Sequence, residues 1–151
     1  MIRWVWKPFS ELTPEELYAV LRLRSEVFVV EQGCVYLDLD GVDPVCDHLL
    51  GLDDEGLAAS VRVVPPDVSY PGEPSIGRVV TAPRVRGQGL GRPLMEEAVR
   101  HVSKRWPGPI KIGAQSYLRS YYESLGFSVC GPEYDEDGIP HFPMRRTPDR
   151  T

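Results

Sequence analysis

Segments whose hydrophobic residues have the spacing of strands alternate along the chain with segments whose hydrophobic residues have the spacing of helices. Short apolar runs bounded by turn residues predict strands at 2–7, 48–52, 57–64, 75–82 and 110–115, with "FSVCG" and "HFPMRR" as the last two. Apolar residues at helical spacing predict three helices, which end near residue 29, near Trp106 and at Gly126. This order predicts an α+β fold class, with α/β character in the second half, where strand, loop and helix follow one another.

The first predicted helix has a recognisable start. Thr13 and Glu16 have the spacing of a capping box, and Pro14 occupies the first helical position, where a missing N–H does no harm. An acidic stretch without periodicity, "EQGCVYLDLDGVDPVCD", comes after this helix, and the Pro-rich segment 65–74 is predicted to be a loop. At 151 residues we expect a single domain, 1–151, around one core.

Composition narrows the class of protein. Hydrophobic residues make up 42% of the chain and charged residues 26%, as in ordinary globular proteins. The longest apolar runs, such as "VFVV", are too short to span a bilayer, and the N-terminus lacks the features of a secretory signal, so we expect a cytoplasmic protein without a membrane partner. Cys34, Cys46 and Cys130 include no CxxC pair, which predicts reduced thiols and no metal site, with a catalytic cysteine as the weaker alternative.

The formal net charge of −5 hides an asymmetry. Between Arg78 and Arg105, seven basic residues stand against two acidic ones, a local charge of +5, so the rest of the chain carries −10. An acidic body disfavours nucleic-acid binding, whereas a confined basic segment suits one small, multiply charged anion. For Arg100, Lys104 and Arg105, a solvent-facing helix surface is the simpler explanation.

A glycine-rich segment, "RVRGQGLGRP" at 84–93, joins a predicted strand to a predicted helix. Free backbone N–H groups and the positive end of the helix dipole meet at such a point, which is an arrangement that binds phosphate. The residues that would contribute are three glycines without a Cβ and three arginines: Gly87, Gly89, Gly91, Arg84, Arg86 and Arg92. The alternative is a flexible turn that only connects the two elements.

Two common nucleotide-binding loops do not fit this segment. A Walker A loop requires Lys and then Ser or Thr after its last glycine, whereas Gly91 is followed by Arg92 and Pro93. A Rossmann loop requires GxGxxG and an acidic residue at the end of the next strand, but "IKIGAQ" ends without one.

Residues 86–91 have the form RxxGxG, which resembles the pyrophosphate loop of the GNAT superfamily of acyl-CoA-dependent N-acyltransferases. "SYYESLGF" at 120–127 resembles a later signature of the same superfamily, an aromatic-Tyr pair followed by xxxGF. Further matching segments, at 24–43, 76–80, 113–115 and 134–144, extend the resemblance over nearly the whole chain, which is identified as a member of the ElaA-like branch.

The resemblance implies the GNAT fold, a single-layer twisted mixed β-sheet with flanking helices, splayed between its fourth and fifth strands to take acetyl-CoA as co-substrate. The backbone of Val79 and Val80 would pair with the pantetheine amides, and one N–H would polarise the thioester carbonyl. The loop backbone, including Gln88 and Leu90, would hold the pyrophosphate. Gln115 would touch the pantetheine arm or the acceptor, unless it caps the next helix. Acetyl is the default acyl group by resemblance alone.

Acyl transfer to an amine needs a donor for the leaving thiolate and a neutral attacking amine. Tyr122 matches the family position of the proton donor, on the expectation that neighbouring Tyr121 is the core residue; a core role for Tyr122 is the alternative. Glu31 and His141 are the candidate bases, because each lies in a segment shared with the ElaA-like branch and has suitable chemistry. A chain of ordered water is the other way to remove the proton.

The amine acceptor is the least determined part of the prediction. Nine acidic residues would either line a cleft for cationic amines or lie in solvated loops: Glu31, Asp38, Asp40, Asp43, Asp47, Glu133, Asp135, Glu136 and Asp137. A polyamine, an amino sugar, a protein N-terminus and a lysine side chain all fit, and a homodimer is compatible with the sequence. The alternatives to an N-acetyltransferase are a non-catalytic acyl-CoA-binding module and, by a weaker resemblance, an acyl-homoserine-lactone synthase.

Overall fold

The computed structural model describes residues 1–148 and arranges them in antiparallel β-sheets with three α-helices. The strands are β1 (Arg3–Pro8), β2 (Asp47–Asp53), β3 (Gly56–Val64), β4 (Ser75–Thr81), β5 (Ile110–Gln115), β6 (Phe127–Val129), β7 (Tyr134–Glu136) and β8 (Ile139–Arg146). The helices are α1 (Pro14–Arg24), α2 (Gly91–Arg105) and α3 (Arg119–Glu123). None of the helices within 1–148 has the length and apolar character needed to cross a membrane.

The strands form two sheets that part between β4 and β5. The first sheet has the order β1-β2-β3-β4, and in the second β8 lies between β5 and β6 and also pairs with β7. Where β4 and β5 begin, the Lys111 N–H donates to the Pro74 carbonyl oxygen at 3.1 Å, and beyond that point each strand pairs within its own sheet. The α+β fold with a splayed sheet is confirmed; the expected mixed sheet is divided into two antiparallel sheets at this point.

Helix α2 packs its apolar side chains across both sheets. Leu94, Met95, Ala98 and Val102 are fully buried, at the spacing expected for one helix face. They share a single core with residues of both sheets, including Leu49, Val61, Ile112, Phe127 and Met144. Burial of each large aliphatic side chain contributes about 1.5–3 kcal/mol, so α2 is the main element that holds the two sheets together.

Helix α1 begins as predicted and ends differently. The Thr13 hydroxyl accepts from the Glu16 N–H (3.1 Å) and the Glu16 carboxylate accepts from the Thr13 N–H (2.9 Å), which completes the capping box. The α-helix ends at Arg24, and a π-helix continues over Ser25–Glu31. The sequence predicted one helix to about residue 29 and did not predict the change from α-helix to π-helix. Such wider turns are frequent at functional sites.

The hairpin of β7 and β8 was missed, because only its second strand was predicted. Asp137 and Gly138 connect the strands with φ angles of 53° and 81°, as in a two-residue type I′ turn. The Asp-Gly pair was the available signal for this hairpin. The hairpin matters because it carries five residues of the cleft described next: Tyr134, Glu136, Asp137, Ile139 and His141.

Candidate active site

A cleft of about 860 Å³ opens where β4 and β5 separate. Its walls come from the π-helix and the segment after it, from β4 and β5, from the region around α3, and from the hairpin of β7 and β8. Seven of the residues that the sequence proposed for the site line this cleft: Glu31, Val79, Val80, Arg86, Gln115, Tyr122 and His141. The fold therefore brings the three proposed catalytic residues and four of the eleven proposed cofactor residues into one space. The other seven do not line the cleft: Arg84, Gly87, Gln88, Gly89, Leu90, Gly91 and Arg92.

The pairing of β4 with β3 is interrupted by a β-bulge. Val80 lies opposite Ser60 and Gly77 opposite Arg62, so Arg78 and Val79 together face a single residue of β3. Arg78 has a φ of 50°, a left-handed conformation that is unusual outside glycine. The bulge takes the Val79 backbone out of the regular ladder with β3, and Val79 lines the cleft. Val80 is 3% exposed and packs in the core.

The glycine-rich loop has the backbone conformation that its sequence predicts. Gly87 and Gly89 have φ angles of 83° and 71°, and a Cβ built on either one would meet no protein atom within 4 Å. The space beside both glycines is therefore open. Helix α2 then starts at Gly91 without a side-chain cap and with no acidic residue in its first turn.

The amide groups of this loop divide into two sets. The Arg86 and Gln88 N–H groups donate to the carbonyl oxygens of Pro83 and Val85, each at 3.3 Å. Within residues 1–148 the other loop amides have no backbone or side-chain acceptor: Gly87, Gly89, Leu90, Gly91 and Arg92. Unpaired amides at a helix N-terminus are suited to bind an anion. These five amides are fewer than those of the whole segment 86–92, which the sequence predicted to bind the pyrophosphate.

The three loop arginines have different surroundings. Arg84 donates to both Asp53 carboxylate oxygens (2.7 and 2.9 Å) and to Glu55 (3.1 Å), away from the cleft. The Arg92 guanidinium donates to the Ser124 hydroxyl at 2.7 Å. Only Arg86 of the three lines the cleft, where its Nη1 lies 2.6 Å from Glu31 Oε1. A cofactor role for the side chains of Arg84 and Arg92 stays a prediction, and it would require them to leave these partners.

Tyr122 is both a core residue and a cleft residue. It is 8% exposed, and its ring packs edge-on against Phe127 at 6.0 Å between centroids. Its neighbour Tyr121 is the less buried of the two, with its hydroxyl beside Gly91, so the expected division into one core tyrosine and one site tyrosine was wrong. Tyr122 packs its ring and still faces the cleft.

The Tyr122 hydroxyl is available to a ligand. Among the described residues it has no hydrogen-bond partner, and it is not one of the fully buried polar atoms, so a ligand in the cleft can reach it. Burial, and after it the neighbouring Tyr121 and Tyr117, raises the pKa of Tyr122 to about 12. The phenol therefore keeps its proton at neutral pH, as a proton donor must.

The two candidate bases come from different elements, His141 from β8 and Glu31 from the π-helix. His141 is 7% exposed, its Nδ1 lies 2.7 Å from the Ile139 carbonyl oxygen, and its Nε2 lies 3.5 Å from a Glu136 carboxylate oxygen. Because a carbonyl oxygen only accepts, Nδ1 carries the proton in neutral His141 and Nε2 presents its lone pair. Glu31, which ends the π-helix, is half exposed and paired with Arg86.

Gln115 ends β5 and lies directly opposite His141 in the strand register. Its side chain makes no capping hydrogen bond to the short 3₁₀ turn that follows, Ser116–Leu118. This geometry removes the capping explanation and leaves the amide of Gln115 facing the cleft.

The acidic residues of the first half do not form an acceptor cleft. Arg24, 1% exposed, donates to the carboxylates of Asp38 (2.8 Å) and Asp43 (2.7 and 3.1 Å). Arg62 donates to both oxygens of Asp40 (2.8 and 2.6 Å) and to Asp43 (3.1 Å). We call these five residues the buried ion network; the expectation of free carboxylates was wrong for Asp38, Asp40 and Asp43, because arginines neutralise them.

The protonation of the network follows from its pairing. Hydrogen bonds from Arg62 hold the pKa of Asp40 well below its usual range. Burial alone would raise the pKa of Asp43, but the hydrogen bonds and charges of Arg24 and Arg62 outweigh this effect, so the pKa of Asp43 is lowered. Asp47 belongs to another cluster, with His101 and Arg105, where those partners likewise outweigh burial and lower its pKa.

Of the four acidic residues at 133–137, Glu136 and Asp137 line the cleft. Glu133 accepts from the Ser116 hydroxyl at 2.7 Å, and Asp135 accepts from the Gly138 N–H at 3.0 Å. Sequence reasoning also missed Tyr70 and Tyr134, which line the same part of the cleft. No sequence motif identified them, since the contacts that bring them there span distant segments.

Within the described chain, neither Cys46 nor Cys34 has a neighbouring group that would activate its thiol as a nucleophile. Burial raises the pKa of the Cys46 thiol to about 12. Cys34 lines the cleft, and its nearest polar contact is the Asp137 carbonyl oxygen at 3.8 Å. Within residues 1–148 there is no group of three or more His, Cys, Asp or Glu side chains placed to hold a metal ion.

Comparison with known proteins places the chain in a family. Residues 55–148 match the family described as the acetyltransferase (GNAT) domain. The crystal structure of an acyl-CoA N-acyltransferase from Pseudomonas aeruginosa is 43% identical with a TM-score of 0.92, over 97% of this chain and 100% of that one. Escherichia coli ElaA is 40% identical in its crystal structure, with a TM-score of 0.89 over 97% and 99% of the two chains. A UPF0039 protein of Synechocystis is 41% identical over 95% of this chain and 94% of its own.

Proposed function

Because the chain belongs to the GNAT acetyltransferase family and resembles ElaA, we propose that it transfers an acetyl group from acetyl-CoA to a primary amine, by direct attack within a ternary complex. The observation that carries this proposal is Tyr122, whose ring is buried and whose protonated hydroxyl has no partner among the described residues, in the cleft between β4 and β5. A proton donor in that position can protonate the leaving group of a reaction, which here would be the CoA thiolate.

The loop and the bulge supply complementary parts of an acyl-CoA site. The unpaired N–H groups of residues 87 and 89–92 and the Arg86 guanidinium would hold the pyrophosphate. Because Gly87 and Gly89 have no side chains, there would be room for it. The Val79 backbone, outside the ladder, would pair with the pantetheine arm, with Gln115 across the cleft.

In the proposed reaction, the amine nitrogen attacks the thioester carbonyl carbon, so a C–N bond forms and the C–S bond breaks. The Val79 N–H would stabilise negative charge on the carbonyl oxygen. Tyr122 would donate its proton to the departing thiolate and regain one from solvent. The products are the amide and CoA, and the proton lost by the amine balances the proton gained by sulfur.

His141 is the base that the geometry favours. The lone pair on its Nε2 can accept a proton from the amine, and Glu136 nearby would stabilise the resulting imidazolium. Glu31 can take this role only after it separates from Arg86, which becomes possible if Arg86 turns to the pyrophosphate.

Release of the CoA thiol from acetyl-CoA, measured with a panel of primary amines, tests the proposal. We expect turnover with at least one amine, and a much lower rate in Tyr122→Phe at unchanged CoA affinity. Tight CoA binding without turnover across a broad panel would contradict the proposal and favour a non-catalytic acyl-CoA-binding module.

A further inference from the structure

The charges that line the cleft are unevenly paired. Arg62 and Arg78 contact Asp40, and Arg86 contacts Glu31, so the arginines of the cleft all have carboxylate partners. In the described part of the chain, Glu136 and Asp137 have no lysine or arginine within ion-pair distance. The cleft therefore has one acidic corner that no cation of the described chain neutralises.

Aromatic rings form the other side of this corner. The Tyr134 ring stacks on His141 with 5.7 Å between centroids. Burial, and after it the Glu136 charge, raises the pKa of Tyr70, which agrees with a position of Tyr70 near that carboxylate. The Tyr70 ring already attracts a cation, since Lys111 Nζ lies 4.7 Å from its centroid. We call Tyr70, Tyr134, Glu136 and Asp137 the acidic-aromatic corner.

A separate observation shows that the same cleft is built for a polar ligand. Tyr122 is 8% exposed and lines the cleft, and its hydroxyl has no hydrogen-bond partner among the described residues. A ligand that reaches from Tyr122 to the acidic-aromatic corner would satisfy both polar regions at once. Carboxylates and ring faces together are the groups that recognise ammonium ions.

We propose that the acceptor is a primary amine that carries a second positive charge, as in an α,ω-diamine, and that the acidic-aromatic corner binds this second charge while the first amine reacts near Tyr122. The inference rests on the proposed acyl transfer and adds the substrate class. A bound ammonium group has a further effect, because its charge lowers the pKa of the other amine and favours the neutral form that attacks.

Matched amine pairs of equal chain length test this inference: 1,3-diaminopropane with propylamine, 1,4-diaminobutane with butylamine, and 1,5-diaminopentane with pentylamine. In the thiol-release assay we expect kcat/KM for the best diamine to exceed that of its monoamine by about 10- to 100-fold, mainly through KM, as for a charge-assisted hydrogen bond. 4-Aminobutanol, which is polar but has no second charge, should behave like butylamine.

Two variants locate the effect. Glu136→Gln and Asp137→Asn keep the shape of the side chains, and Asn tolerates the left-handed φ of 53° at residue 137. Each should reduce the preference for the diamine by about fivefold or more, and the double variant should nearly abolish it. Glu133→Gln, which lies outside the cleft lining, is the matched control and should leave the preference unchanged.

The possible results separate this inference from the proposed function. Turnover with equal kcat/KM for diamines and monoamines overturns the inference and leaves the acyl transfer standing. If no amine is turned over, the proposed function fails, and calorimetric titration of 1,4-diaminobutane into the CoA-saturated protein tests the corner directly. Binding there that Glu136→Gln weakens supports the corner, and absence of binding, or binding that the substitution leaves unchanged, contradicts it.

Discussion

The buried ion network and the glycine-rich loop treat their polar groups in opposite ways. In the network, Arg24, Asp38 and Asp43 lie almost completely out of solvent, and Arg24 forms ion pairs with both aspartates. In the loop, consecutive amides from Gly89 to Arg92 have no acceptor in the described chain. Both regions looked in the sequence like charged or flexible segments beside a helix. Their pairing distinguishes a structural role from a ligand-binding role.

The difference has a physical basis. A buried charge costs several kcal/mol unless a partner compensates it, so each charged side chain of the network needs a partner of opposite charge, although the buried Arg62 Nε has no acceptor among the described residues. It fixes the irregular segment between the π-helix and β2, and with it Tyr36 and Asp40 in the cleft wall. The exposed loop amides can be bonded to water until an anion replaces it, so they can remain unpaired at little cost.

Removal of one network partner should have the largest effect. Arg24→Met leaves the Asp38 and Asp43 carboxylates without their main partner, and we expect a loss of about 3–5 kcal/mol in the free energy of unfolding, measured by urea denaturation. Arg22→Met, on the exposed side of the same helix, is the control and should change stability by less than about 0.5 kcal/mol. Equal stability of the two variants would contradict a structural role for the network.

Tyr122→Phe removes the unpaired hydroxyl and keeps the ring. We expect kcat to fall by about 10- to 100-fold, the low end for general acid catalysis, because a CoA thiolate is already a fair leaving group. The free energy of unfolding and the CoA affinity should change little. Tyr121→Phe is the matched control, since its hydroxyl is partly exposed beside Gly91.

The pH dependence sharpens this prediction. With its pKa raised to about 12, Tyr122 stays protonated up to strongly alkaline pH, so a basic limb due to the phenol lies above the usual assay range. Between about pH 7 and 9, the profiles of wild type and Tyr122→Phe should differ in height and not in shape. Near-normal kcat in Tyr122→Phe would leave the residue as a packing group and assign the donor to solvent or another side chain.

Gly89→Val tests the open space beside the loop. A valine would block the approach of a phosphate and is strained at a φ of 71°, so we expect CoA affinity to fall about tenfold or more, measured by calorimetric titration. Gly72→Val is the control for strain, since Gly72 has a φ of 70° and equally open surroundings outside the loop. Similar CoA affinities in the two folded variants would remove Gly89 from the cofactor site.

The smallest effect should distinguish two arginines of the same segment. Arg86→Gln should weaken CoA binding by about 3- to 10-fold, less than for a buried charge-assisted hydrogen bond because Arg86 is exposed. Arg84→Gln should change it by less than about twofold, because Asp53 and Glu55 already hold that side chain. A larger effect of Arg84→Gln would mean that Arg84 leaves its partners when CoA binds.

Local sequence patterns predicted the elements that local interactions determine. The capping box of Thr13 and Glu16, the amphipathic face of α2 and the positive φ of Gly89 each depend on residues a few positions apart. These patterns predicted the fold class and the loop, whereas the splayed sheet was predicted from the resemblance to the GNAT superfamily. The hairpin of β7 and β8 was also within reach, through Asp137 and Gly138.

The buried ion network was not predictable in the same way. Arg24 pairs with carboxylates 14 and 19 residues away, and the sequence does not say which acidic residue a given arginine will meet. An arginine in the last turn of a helix is usually explained by the helix dipole and by solvent. The same limitation applied to Arg84 and Arg86, which differ by two positions and have unrelated surroundings.

A ¹H–¹⁵N NMR titration of the protein with CoA tests most directly whether unpaired polar groups mark the ligand site. We predict that the largest amide shifts occur at residues 87 and 89–92, with smaller shifts at Arg86 and Gln88, whose N–H groups are already bonded to carbonyl oxygens. Amides of the buried ion network, at Arg24 and Asp43, should move least. Shifts absent from the loop, or as large in the network as in the loop, would contradict this assignment of the acyl-CoA site.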